Sequence, residues 1–264
     1  MDTYELDLTR QRLGTRTVEM RLYWARRLID AGVDPQTVTT DELHDYLEAH
    51  PDWSVGTLHV VIASLHSLFR WAQRTGRRAD DPSASITAPK EQRARARMAD
   101  DGAIVTALAE ATIEDQAILL LGAEGGLRCS EIAGLRRSDR DGEWLDVLGK
   151  GQKLRPVHLS PECQELLDTI EATTMRWGFY FPSTVHDGRP LTANTVWRRV
   201  NQMTGYNTHA LRHRAGTTVY RNSGHDLRLT QEFLGHASPT TTAVYVHIDR
   251  DDMRRASVAS RMAA

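Results

Sequence analysis

Apolar positions recur at three- and four-residue steps through most of the chain, and in a few places they alternate instead. The longest stripe runs from Ser54 to Thr75, where Leu58, Val61, Ile62, Leu65, Leu68, Phe69 and Ala72 fall on one helical face. His59, His66, Arg70 and Arg74 lie off that stripe, so the same helix carries a basic face. Upstream, Glu19 to Ile29 reads as a helix capped by Thr15 or Thr17 and closed at Gly32. Thr39-Thr40-Asp41-Glu42 has the form of a capping box, a hydroxyl with an acid three residues on, ahead of Leu43, Tyr46 and Leu47.

Arg77 to Arg97 breaks the pattern. Asp81-Pro82, Ala88-Pro89 and the run from Lys90 to Arg97 are rich in turn signals and charge and poor in apolar residues, so this stretch reads as a linker. The domain organisation expected is a helical unit at 1–88, a basic linker at 89–98 and a second unit at 99–264. Helical patterns resume at 100–110 and 114–124. Trp144 to Leu148 and Leu154 to Leu159 read as two strands joined by a turn at Gly149-Lys150-Gly151-Gln152-Lys153. Further helices are expected at 161–175, 192–203, 208–222, 226–234 and 249–260, with another helix start at Ser238-Pro239. The fold class is therefore mainly α with a small β-hairpin in the second unit, an α+β domain behind a helical one.

The polar, charged N-terminus has no apolar core of a secretion signal, and no run is long and apolar enough to span a bilayer. Two cysteines, Cys129 and Cys163, in no metal-ligand spacing, argue against a disulfide scaffold and for a reducing, cytoplasmic setting without a structural metal. The net charge of −2 is not that of a polyanion binder, but the charge is segregated. Residues 53–79 hold Arg70, Arg74, Arg77 and Arg78 with no acid, and 188–225 hold Arg189, Arg198, Arg199, Arg212, Arg214 and Arg221 with none. Only Lys90, Lys150 and Lys153 are lysines, and two of them share one turn.

Four segments carry the candidate chemistry: Leu127-Arg128-Cys129-Ser130-Glu131, Gly149-Lys150-Gly151-Gln152-Lys153, His209-Ala210-Leu211-Arg212-His213, and Leu234-Gly235-His236 with Tyr245 nine residues later. In this order and at these separations they resemble the tyrosine recombinase, or phage integrase, family. The resemblance covers nearly the whole chain: 54–86 is similar to the end of the family's core-type DNA-binding domain, and 99–264 to its catalytic domain. It implies DNA cutting and rejoining through a 3′-phosphotyrosyl intermediate, without cofactor or metal, by a homo-tetramer on two double-stranded DNA attachment sites, with an accessory directionality factor as a further partner and no membrane.

The residue types suit that chemistry. A tyrosine phenol with a pKa near 10 is ionised in only about one molecule in 10³ at pH 7, so the nucleophile needs help to lose its proton. The resemblance makes Tyr245 the nucleophile, after Ser238-Pro239-Thr240-Thr241-Thr242, in preference to Tyr206 or to Tyr220, which reads as a core position. Arg128 and Arg212 would clamp the phosphate with planar, permanently charged forks. Lys150 would protonate the leaving 5′-oxygen, as lysine can give up its proton and arginine cannot; Lys153 is the alternative. His209, one turn before Arg212, is the candidate base, and His236 would hydrogen-bond the phosphate. Glu131 would hold Arg128 and His209 in place. Arg70, Arg74, Arg77, Arg93, Arg95, Arg198 and Arg199 are the expected contacts to the DNA backbone. Cys129 reads as a small buried residue.

No arm-site domain fits ahead of the first helix, so the expected role is that of a compact phage or mobile-element integrase. A Xer-type dimer resolvase, a type IB topoisomerase and a non-catalytic DNA-binding protein are the alternatives.

Overall fold

The computed structural model describes residues 1–90, 97–149, 153–173, 178–186 and 188–235. The chain divides into two compact units, Met1–Ala94 and Arg95–Ala264, each with its own apolar core.

Among the described residues the first unit has four helices: α1 (Asp2–Arg10), α2 (Thr15–Asp30), α3 (Thr40–Glu48) and α4 (Val55–Arg74). Its core gathers Tyr4, Leu8, Leu28, Leu43, Val61, Leu65 and Phe69. The α4 stripe is buried from Val61 to Ala72, with Leu58 half-buried at its start, and Ser54 caps the helix by accepting from the Thr57 N–H. The capping box on α3 is formed in both directions: Thr39 Oγ1 accepts from Glu42 N, and Glu42 accepts from Thr39 N at 2.7 Å. Three expectations need correction. α1 lies in the stretch read only as polar, because its buried face consists of just Tyr4 and Leu8, one turn apart. The N-cap of α2 is Gly14, and Thr15 is already helical. Residues 81–88 are not linker: Ile86 is buried in the core of this unit, and His66 binds Ser83 Oγ and the Ile86 carbonyl, both at 3.1 Å.

The second unit begins with α5 (Asp101–Glu110) and α6 (Ile113–Ala123). Every residue of α6 from Ala117 to Ala123 is buried, the mark of a central helix rather than a surface one. Around it pack α8 (Pro161–Thr173), α9 (Ala193–Thr204) and α10 (Thr208–Asn222). The short α7 (Cys129–Gly134) follows α6, and α11 (Leu227–Leu234) follows α10. The sheet is three-stranded and antiparallel, in the order β1 (Arg140–Asp141), β2 (Trp144–Leu148), β3 (Leu154–His158). Sequence periodicity finds β2 and β3 but not the two-residue β1 or α7, which are too short to show a period. In β3 the buried positions are Arg155 and Val157, paired with Val147 and Leu145 of β2. An arginine thus occupies an inward-facing position of a strand. The helix starts expected at Ser238-Pro239 and 249–260 lie outside the described residues. No helix among the described residues is long and apolar enough to cross a membrane.

Candidate active site

Residues far apart in the chain meet around one carboxylate. Arg128 stands at the N-cap of α7, and Glu131 one turn later reaches back to it. Glu131 accepts from the Arg128 backbone N–H at 2.9 Å and from Arg128 Nη1 at 2.6 Å. A second element, β3, hydrogen-bonds Glu131: Arg155 Nη2 donates to Oε2 at 3.0 Å. Arg212, from α10, brings Nη1 to 4.0 Å from the same oxygen. The Glu131 side chain is only 4% exposed. Burial alone would raise its pKa, but the hydrogen bond and charge of Arg155, then Arg128, outweigh burial and hold the carboxyl below its ordinary value. One carboxylate facing three guanidiniums leaves a surplus of positive charge.

Arg212 is 1% exposed and donates to the backbone carbonyls of Gly126 and Leu234. Gly126 has φ +63°, and a Cβ there would lie 3.1 Å from both Leu234 Cδ2 and Phe233 Cε1, so the turn that delivers Arg128 needs glycine. Arg128 is the accessible member, its side chain 30% exposed. His209 lies one turn before Arg212 on α10. Although the residue as a whole is exposed, crowding by protein atoms is the larger cause that lowers its pKa, followed by the charges of Arg212 and Arg128. The group is therefore biased toward the neutral imidazole, a proton acceptor.

Most of the second unit also matches a known sequence family. The model described as "Phage integrase family" matches residues 99–251, more than half the chain. The chain belongs to the phage integrase family. Its curated relatives include the tyrosine recombinase XerD of Proteus mirabilis, 30% identical over 96% of this chain and 84% of that protein. Tyrosine recombinase XerC of Xylella fastidiosa (strain M23) is 32% identical over 74% and 71%. Among solved structures, a lambda integrase dimer bound to a COC′ core site shares the fold, with TM-score 0.73 at 22% identity over 96% of this chain and 77% of that one. A Tn1549 transposon integrase in complex with transposon right-end DNA does likewise, with TM-score 0.72 at 16% identity over 97% and 98%.

Within this phage integrase family chain, Arg128 and Arg212 both face Glu131, and His209 lies one turn before Arg212 on α10. Glu131, however, has Arg155 as its second close partner where His209 was expected. Lys150, His236 and Tyr245 lie outside the described residues, as do Arg93 and Arg95. Tyr220 is half-buried beside His225 rather than a core position. Cys129 is likewise half-buried, its Sγ 3.2 Å from Thr208 Oγ1.

The expected DNA-contacting arginines divide. Arg70 and Arg198 are exposed. Arg74 is paired with Asp7 at 2.7 Å, and Arg199 with Asp115 at 3.3 Å and Glu114 at 3.5 Å. Arg77 lies over the Trp71 ring at 4.6 Å. Sequence reasoning missed Arg155. The available signal was a charge at an inward position of the strand, in register with the apolar Val157.

Proposed function

We propose that this chain is a site-specific DNA recombinase, which cuts a strand by attack of the Tyr245 hydroxyl on a backbone phosphate and rejoins strands from the 3′-phosphotyrosyl intermediate. The observation that carries the reading is the convergence of Arg128 and Arg212 on Glu131, with a surplus of positive charge, beside His209, which lies one turn before Arg212 and is biased to its neutral form.

In this reading Arg128 and Arg212 stabilise the charge that grows on the non-bridging oxygens, Arg128 from an accessible position and Arg212 from a low-dielectric one. His209 accepts the phenol proton, Lys150 protonates the leaving 5′-oxygen and His236 hydrogen-bonds the phosphate. The tyrosyl ester conserves the energy of the broken bond, so religation consumes no ATP. Residues 1–88 serve as the core-type DNA-binding domain, 89–98 as a basic strap and 99–264 as the catalytic domain. Arg70, Arg74, Arg77, Arg93, Arg95, Arg198 and Arg199 meet phosphates, and the paired Arg74 and Arg199 exchange their carboxylate partners for DNA. The working form is a tetramer on two duplexes, in the cytoplasm.

Two finer roles each have support. The wording of Arg214 to Arg221, which departs from the usual Xer pattern, favours a compact integrase of a phage or mobile element. The names of the curated relatives, XerC and XerD, favour a resolvase of chromosome or plasmid dimers.

The test begins by selecting bound duplexes from a random-sequence DNA library. A substrate nicked beside the scissile phosphate is then built on the selected site. A covalent protein–DNA adduct is expected on a denaturing gel, and Tyr245→Phe is expected to abolish it. Tight, specific binding with no adduct would point to a non-catalytic DNA-binding protein. A selected site found at the ends of an inserted element supports the integrase; one found once on the chromosome supports the resolvase.

A further inference from the structure

Arg155 is 6% exposed, yet it carries a charge at an inward position of β3. Two of its three nitrogens are engaged: Nε donates to the Phe233 carbonyl at 3.1 Å and Nη2 to Glu131 at 3.0 Å. Nη1 is buried with no hydrogen-bond partner among the described residues. Burying a cationic donor unsatisfied is costly, and an aliphatic side chain would fill a strand's inward position without that cost. The arginine therefore needs a reason other than packing.

Its neighbours supply one. A Cβ built on Gly235 would lie 2.8 Å from Arg155 Cδ and 3.4 Å from Nη1, and one built on Gly149 would lie 3.8 Å from Nη1. Gly149 and Gly235 immediately precede Lys150 and His236 in the chain. The guanidinium thus sits against the two backbone points from which those residues leave. Its other end grips the carboxylate that holds Arg128 and faces Arg212.

We propose that Arg155 is a positioning residue of the strand-cleavage reaction, fixing Glu131, and through it Arg128 and Arg212, relative to the backbone that bears Lys150 and His236. This rests on the recombinase reading. Arg155 touches no reacting atom in it; it sets the distances between groups that do. A fork with three nitrogens can hold a carboxylate and a carbonyl at once, whereas lysine is a single point charge on a flexible stem.

The test measures single-turnover adduct formation by the full chain on the nicked substrate built from the selected site, beside the dissociation constant for the intact duplex. Arg155→Met is expected to slow adduct formation by about 10²-fold, the scale of a 1 Å misplacement, with duplex affinity within about twofold of wild type. Arg155→Lys is expected to recover part of the rate. In Glu131→Gln/Arg155→Met the losses should not add, because the two residues act as one unit. A merely structural role would instead make the loss track the folded fraction and vanish at temperatures where circular dichroism shows every variant folded. That result, or a folded Arg155→Met that reacts at the wild-type rate, overturns the proposal. Should Arg155→Met fail to fold, Arg155→Lys carries the decision, and a full rate there overturns it. A wild-type chain that forms no adduct, or a Tyr245→Phe chain that does, removes the recombinase reading and this proposal with it.

Discussion

Two side chains of the site, His209 and Glu131, are tuned by their neighbours, in each case to a pKa below the ordinary value of the residue type. His209 shows this most directly. An ordinary histidine is half-protonated at pH 6.5, and here protein crowding, Arg212 and Arg128 all move the pKa below that. The neutral ring therefore persists to lower pH than in a free histidine. If it is the base, the cleavage rate should fall on acidification with a midpoint below 6.5, and His209→Gln should remove that limb. Single-turnover adduct formation measured from pH 5 to pH 8 checks this, and a midpoint at or above 6.5 would exclude His209. Glu131 is tuned likewise, with its pKa held below the ordinary 4.5. A depressed carboxylate contributes stability that is complete above its unfolded pKa and is lost as pH falls through the folded value. The second unit should accordingly lose stability below about pH 4.5, with the loss reduced in Glu131→Gln, as thermal melts across the acid range will read.

At the scale of elements, the turn after α11 deserves a controlled test because two of its effects can be separated. Gly235 has φ +61° and backs onto Arg155, while Gly205, which ends α9, has φ +69° and nothing within 4 Å of a built Cβ. Alanine at either position meets the left-handed strain of about 1–2 kcal/mol. Only Gly235→Ala also pushes on the guanidinium. Both variants should melt at lower temperature, and only Gly235→Ala should lose cleavage beyond its loss of stability. Equal cleavage by the two, once both are folded, would show that the Arg155 contact has no bearing on the reaction.

How legible these elements are from sequence depends on how many residues mark them. α4 is plain, with seven apolar positions in register; α1 is invisible, with two. The 81–88 segment reads as linker because its hold on the core is one isoleucine, Ile86, and a pair of histidine hydrogen bonds that no periodicity reports. In the site, Glu131 and Arg128 are three apart in sequence and one turn apart in space, so their pairing is readable. Arg155 reaches Glu131 across 24 residues and Phe233 across 78, and only a fold brings those together.

At the scale of the whole molecule, the two units have separate cores, one built around Phe69 and Leu65, the other around α6. Residues 1–90 and 97–264 are each expected to unfold cooperatively when prepared alone, with transitions matching two steps of the full chain. Calorimetry checks this, and a single transition in the full chain with unfolded fragments would show one cooperative body instead.

The residues around Glu131 come from α7, β3, α10 and the end of α11, with partners as much as 86 residues apart in the chain. Such a constellation has no partial version. A ribosome that has delivered Arg128, Glu131 and Arg155 has made a carboxylate and two cations, but not Arg212 or the carbonyls that receive it. Under the recombinase reading, a half-made or half-unfolded chain lacks one of the two arginines that would clamp the phosphate. The cluster exists only once α10 and α11 have packed against α7 and β3.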